Sequence, residues 1–210
     1  MPIPNSQLQT WSNQGATVTA QTTHTSIRNA ISSYKNWPDD LNYEVYLQGS
    51  YANFTNIFGN SDVDLVVELT SVFYSNLTAA EKASLKFTTA SYNWTIFRTY
   101  VLNALTQYYD SKLIDASGSK SIKVLPNNGR LKSDVVVAVT YDYYEDLKVR
   151  SEGITFWNFP NETTQFINYP KPHRDNGAQK NSEGEQTVGI NQQLEFLKML
   201  EIKLFKITGI

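Results

Sequence analysis

The sequence predicts an α+β fold, a mixed sheet packed by helices, and three observations carry that expectation. Short apolar runs bounded by turn residues recur at 43–47, 62–69, 121–125 and 131–141. Ahead of residue 183, helical periodicity over longer stretches falls at 15–34 and 94–113. The order of these elements departs from the regular strand–helix alternation of an all-parallel sheet.

Taken in order, residues 1–14 are polar, carry Pro2 and Pro4, and read as an N-terminal arm. Within 15–34 the spacing of Val18, Ile27, Ala30 and Ile31 predicts a helix in the second half, ended by Trp37-Pro38-Asp39-Asp40. Alternation over 43–47 predicts the first strand; a Gly-Ser turn and a short helix over 51–56 follow, then a strand over 62–69. Thr78-Ala79-Ala80-Glu81 has the form of a capping box, with a hydroxyl three residues before a carboxylate. In 94–113, Phe97, Val101, Leu105 and Tyr108 fall on one helical face, a stripe that reads as core packing. Pro126-Asn127-Asn128-Gly129 is a turn joining the strands at 121–125 and 131–141 into a hairpin. Two further short strands are expected at 154–157 and 165–167, before the prolines at 170 and 172 end regular structure.

The chain has 210 residues, enough for one sizeable core but short for two full domains. A formal net charge of −2 gives no overall basic character, so neither a stable nucleic-acid partner nor a membrane surface is expected. The absence of cysteine excludes disulfides, thiol nucleophiles and thiolate metal sites. No signal peptide or spanning run is visible, and a cytoplasmic location is the expectation. With His24 and His173 as the two histidines there is neither a zinc cluster nor a nucleophile elbow, and no glycine-rich loop ends in Gly-Lys-Ser/Thr.

The stretch with chemical content is GSYANFTNIFGNSDVDLVVEL, residues 49–69. Side chains alternate along a strand, so Asp62 and Asp64 share a face at the head of an apolar run. Such a pair needs a positive counterpart, and magnesium, which takes carboxylates together with phosphate oxygens, suits it. Asp134 opens a second apolar run, and Gly49-Ser50 presents backbone N–H groups and a hydroxyl in a turn suited to phosphate. Three strand carboxylates beside such a turn describe a metal-dependent phosphoryl-transfer site.

Gly-Ser, then Asp-x-Asp beginning twelve residues after Ser50, then a third strand aspartate resembles the DNA polymerase β-like nucleotidyltransferases. Within them, 49–69 and the later NYPKPHRDNGAQKN, 168–181, are most similar to the bacterial cGAS/DncV-like branch. The resemblance covers about 15–182, the expected nucleotidyltransferase core. It implies that Asp62, Asp64 and Asp134 are catalytic and hold two magnesium ions, with Asp134 also positioning the attacking hydroxyl. It also implies that Gly49 and Ser50 contact the triphosphate, while Lys180, in the family-like segment, reads equally as a cation reaching the triphosphate or as a solvated lysine. The implied activity is transfer of a nucleotidyl group from ATP or GTP to a hydroxyl. The product would be a cyclic or linear oligonucleotide messenger acting on a downstream effector protein in antiphage signalling. His173 reads equally as a substrate-orienting or a structural residue, and Tyr51 as pocket wall or packing. Two other functions stay open: an antitoxin-like enzyme that nucleotidylates a protein, and a nucleotide-binding or interaction module without turnover.

The resemblance stops near Ser182, where such relatives continue into a helical domain, and the expectation is that this domain is largely missing. Residues 183–210 form an atypical tail; Leu194, Leu197, Leu200 and Leu204 give 191–206 an amphipathic helical pattern. Synonymous codons can be chosen for 184–203 so that another frame reads, without a stop, as a basic-aromatic peptide like the family's next segment. A truncation or frameshift after about Glu183 is therefore an expectation, with weak or absent activity as its consequence.

Overall fold

Two sequence patterns meet in one sheet: strands in which apolar residues alternate with others, and helices with one apolar face to cover them. The computed structural model describes residues 17–52 and 62–171. Its elements are α1 (Thr17–Ser32), β1 (Tyr43–Gln48), α2 (Gly49–Ala52), β2 (Val63–Ser75), α3 (Ala79–Ser84), α4 (Trp94–Tyr108), a 3₁₀ turn (Ser111–Leu113), β3 (Ile114–Asp115), β4 (Ile122–Val124), β5 (Ser133–Glu145), β6 (Lys148–Trp157) and β7 (Gln165–Asn168). The arm at 1–14, the span 53–61 and the tail at 183–210 lie outside the described residues.

The sheet runs β1-β2-β5-β4-β3, with β6 on β5 and β7 on β6. The central pair, β2 with β5, is parallel; β1 on β2 and β4 and β6 on β5 are antiparallel, which makes the sheet mixed as expected. On one face Val63, Leu65, Val67 and Leu69 join Val135, Val137 and Val139, all buried. Ile27, Ala30 and Ile31 of α1 and Phe97, Val101 and Leu105 of α4 belong to the same buried core. β4 leaves β5 at Val135 and β6 joins it at Val139. Val137 lies in that gap, where its carbonyl accepts a 2.7 Å hydrogen bond from the Trp94 indole. A buried carbonyl left without a donor is costly, so this bond lets β5 exchange partners inside the core.

Several boundaries differ from the sequence reading. The helix expected in the second half of 15–34 already begins at Thr17. The short helix expected at 51–56 starts at Gly49. α4 stops at Tyr108, because the chain turns extended at Tyr109 and the Asp110 carboxylate caps the 3₁₀ turn through the Lys112 N–H at 3.0 Å. Tyr108, placed on the core stripe by periodicity, is 47% exposed there. β2, β5 and β6 run well past their apolar segments; the added parts of β5 and β6 pair with each other, turning at Asp146 and Leu147 with positive φ. The Thr78–Glu81 capping box forms as read. Among the described residues no helix is long and apolar enough to cross a membrane.

Phe97 is fully buried where α4 meets the sheet. Phe97→Ala is expected to destabilise the fold by about 3–5 kcal/mol. Urea unfolding followed by tryptophan fluorescence measures this, and a loss below about 1 kcal/mol would contradict the packing described.

Candidate active site

The face of the sheet away from α1 and α4 carries polar groups at one end. β1 and β2 pair Gln48 with Asp64, β2 and β5 pair Asp64 with Asp134, and β5 and β4 pair Asp134 with Lys123. One row across four strands thus reads Gln48, Asp64, Asp134, Lys123. Adjacent strands lie about 4.8 Å apart, so the two carboxylates are immediate neighbours. The close pair is the direct result of strand register, with both aspartates at the heads of parallel strands.

Gly49 explains how Asp64 is seated. Its φ of +69° lies in the left-handed region, and a Cβ there would stand 2.4 Å from Asp64 Oδ2. Only glycine lets the carboxylate rest against this backbone. Ser50 follows in the same turn and is half-buried. Tyr51 is buried within the main core, which favours packing beneath the turn over lining a pocket.

Burial pushes the Asp64 carboxyl up to about 6, with further contributions from the charges of Asp134 and Asp62 and a partial offset from Lys132. Asp134 Oδ1 accepts a hydrogen bond from the Ser121 hydroxyl at 3.3 Å. Asp62 precedes β2, is exposed, and forms an ion pair with Lys132. That bond is the chief cause holding the Lys132 ammonium above its ordinary pKa. Sequence reasoning missed Lys132 and Ser121; the available signal was a cation two residues before Asp134 and a serine opening the strand that pairs with it. His173 and Lys180 lie outside the described residues.

The donors gathered here, carboxylates and a hydroxyl, are hard oxygen ligands of the kind magnesium takes. Among the described residues no group of three or more histidine or carboxylate side chains is already assembled as a metal cage. Asp64 and Asp134 face each other, while Asp62 is held on Lys132.

No family model matches the chain. It is 48% identical over 187 residues to the cyclic UMP-AMP synthase of Rhodothermus marinus, covering 87% of this chain and 63% of the relative. It is 33% identical over 193 residues to the cyclic nucleotide synthase CdnE01 of Staphylococcus haemolyticus, covering 86% of this chain and 63% of that one. The solved structure of the Rhodothermus marinus CdnE c-UMP-AMP synthase with Apcpp and Upnpp superposes with a TM-score of 0.87 at 44% identity, covering 98% of this chain and 69% of that one. The chain belongs to the cGAS/DncV-like nucleotidyltransferases. It spans about 63% of the length of the curated relatives it matches. Its mixed sheet with helices is the fold of that nucleotidyltransferase family.

The raised Asp64 pKa sets a pH dependence of stability. Because the folded protein binds this proton more tightly than the unfolded chain, the stabilisation is complete below the ordinary value of 3.8 and is lost as pH rises through about 6. In metal-free buffer the stability of Asp64→Asn relative to the native protein should therefore grow between about pH 4 and about pH 7 and then level off. Thermal melts across that range test it; a constant difference would refute the assignment.

Proposed function

We propose that this chain is the core of a metal-dependent nucleotidyltransferase that transfers a nucleotidyl group from a nucleoside triphosphate to a hydroxyl and releases pyrophosphate. The observation that carries the reading is the in-register Asp64–Asp134 pair seated against Gly49. Its product class is a cyclic or linear oligonucleotide, the cyclic form being the one in the names of the relatives; in this reading the product acts in the cytoplasm as an antiphage signal read by an effector protein.

Asp64 and Asp134 would hold magnesium together with Asp62 once it leaves Lys132. Two magnesium ions supply charge neutralisation at the phosphates and acidification of the acceptor hydroxyl. The Gly49-Ser50 turn supplies N–H and hydroxyl donors to the triphosphate. Asp134 is placed to orient the attacking hydroxyl, with Ser121 fixing its carboxylate. Lys132, once freed from Asp62, would offer a cation to the phosphate charge, and the family resemblance suggests Lys180 as a second.

Incubating the purified protein with all four ribonucleoside triphosphates and magnesium, then resolving products, tests this reading. A small labelled oligonucleotide and pyrophosphate are expected, abolished by Asp62→Ala and by Asp64→Asn. Label on a protein band would establish the protein-modifying alternative, and binding without pyrophosphate release the non-catalytic one.

Gly49→Ala should fold yet lose turnover about 100-fold, because a displacement of Asp64 by about 1 Å misaligns the site. Circular dichroism alongside the same assay checks both halves, and unchanged turnover would exclude the role given to this glycine.

A further inference from the structure

Four residues beyond Asp64 on the same face of β2, Glu68 is a carboxylate that is only 3% exposed. Three donors from three parts of the chain hold it. The Tyr46 hydroxyl of β1 donates to Oε2 at 2.8 Å, the Thr140 hydroxyl of β5 donates to Oε1 at 2.8 Å, and Lys171 Nζ lies 3.2 Å from Oε2. Lys171 also pairs with Glu44 Oε2 at 2.9 Å and sits 5.1 Å from the centre of the Tyr46 ring.

This ion pair has a topological consequence. Asn168 of β7 pairs with Ile154 on β6, yet three residues later Lys171 touches β2 and β1. The connection through Tyr169 and Pro170 therefore crosses β6 and β5 on the carboxylate face. Its departure point is tight: a Cβ on Gly153 would lie 2.6 Å from Asn168 O and 2.8 Å from the Tyr169 ring. On this face Val66, Ala138 and Ile154 form a small buried cluster with Tyr46 and Phe156 packed on it, and Val66 of that cluster stands between Glu68 and Asp64 along β2. A rise of about 3.3 Å per residue puts Glu68 roughly 13 Å from Asp64, about the length of a nucleotide. The pair is buried on the Glu68 side and open to solvent on the Lys171 side, whose side chain is 43% exposed; such a pair is weak evidence for stability, and fixing one arrangement is its best-attested use.

We propose that the Glu68–Lys171 pair is a positioning element that pins the strap at 169–171 across the sheet and so sets the inner wall against which the nucleoside triphosphate is held. The proposal rests on the nucleotidyltransferase reading for its ligand, but not for its anchor. Removing Lys171 leaves the buried Glu68 carboxylate without its cation, and Glu68→Gln leaves Lys171 only its exposed partner Glu44, so Lys171→Met and Glu68→Gln loosen the strap, whereas Lys171→Arg retains it.

Hydrogen exchange by mass spectrometry and equilibrium binding of magnesium-ATP and magnesium-UTP, on the full chain, test the two halves. In Lys171→Met and Glu68→Gln, exchange across 165–171 should quicken about tenfold or more while β2 and β5 stay protected. Affinity for at least one nucleotide should fall about tenfold, and Lys171→Arg should restore both. Unchanged exchange at 165–171 would overturn the anchor. Faster exchange with unchanged affinity would reduce the pair to a structural role and overturn the positioning claim. If the native protein bound neither nucleotide, the functional reading would fall and the wall with it, while the exchange arm would still decide the anchor.

Discussion

Asp64 and Asp134 stand opposite one another on neighbouring parallel strands, and their mutual repulsion is the constraint on which the arrangement of this face depends. The fold does not relieve it by separating them, because the register is fixed by the apolar residues on the other face. Leu65 with Val135 and Val67 with Val137 are buried pairs. Slipping one strand by a residue would turn those side chains to the polar side. Hydrophobic burial therefore holds two carboxylates together against their own electrostatics. Nearby Lys132 offsets part of that charge, although its own ion pair is with Asp62.

Much of this was legible in the sequence because it follows from alternation. The apolar runs that follow Asp64 and Asp134 are enough to place both strands and to set these two aspartates on one face, whereas Asp62, expected on that face, stands ahead of β2 on Lys132. The hairpin of β4 and β5 was likewise marked by its Pro-Asn-Asn-Gly turn, whose Gly129 takes a φ of +121°. What alternation misses is structure formed away from the helix-covered layer. The start of β6, with Lys148, Arg150 and Glu152, has neither face sealed in the core; it pairs with β5 through backbone bonds that leave little trace in composition. Lys132 and Ser121 were passed over for a different reason, since the sequence puts them near Asp134 or its partner strand but each meets its aspartate through tertiary pairing.

The same distinction separates two carboxylates on β2. Asp64 announces itself by the Asp-x-Asp pattern, while Glu68 looks like one polar residue in an apolar strand. Its partners come from positions 46, 140 and 171, so no local pattern marks it. Burial identifies it: a carboxylate inside a sheet persists only where donors satisfy it. Side chains far apart in sequence are fixed most tightly where solvent is excluded, and that is where sequence patterns carry least information about pairing.

The parallel β2–β5 ladder also has a consequence in time. Positions 64 and 134 are 70 residues apart, and the intervening chain must fold back before they meet. Closing such a long loop makes this ladder a late, non-local event by comparison with the adjoining hairpins. At a synthesis rate of about 5–20 residues per second, roughly 4–14 s pass between the emergence of the two aspartates. Throughout that interval Asp64 has no neighbour across the central ladder and titrates as an ordinary solvated acid. The unusual proton affinity of the mature site is thus absent from the nascent chain and arises only when the last central strand docks.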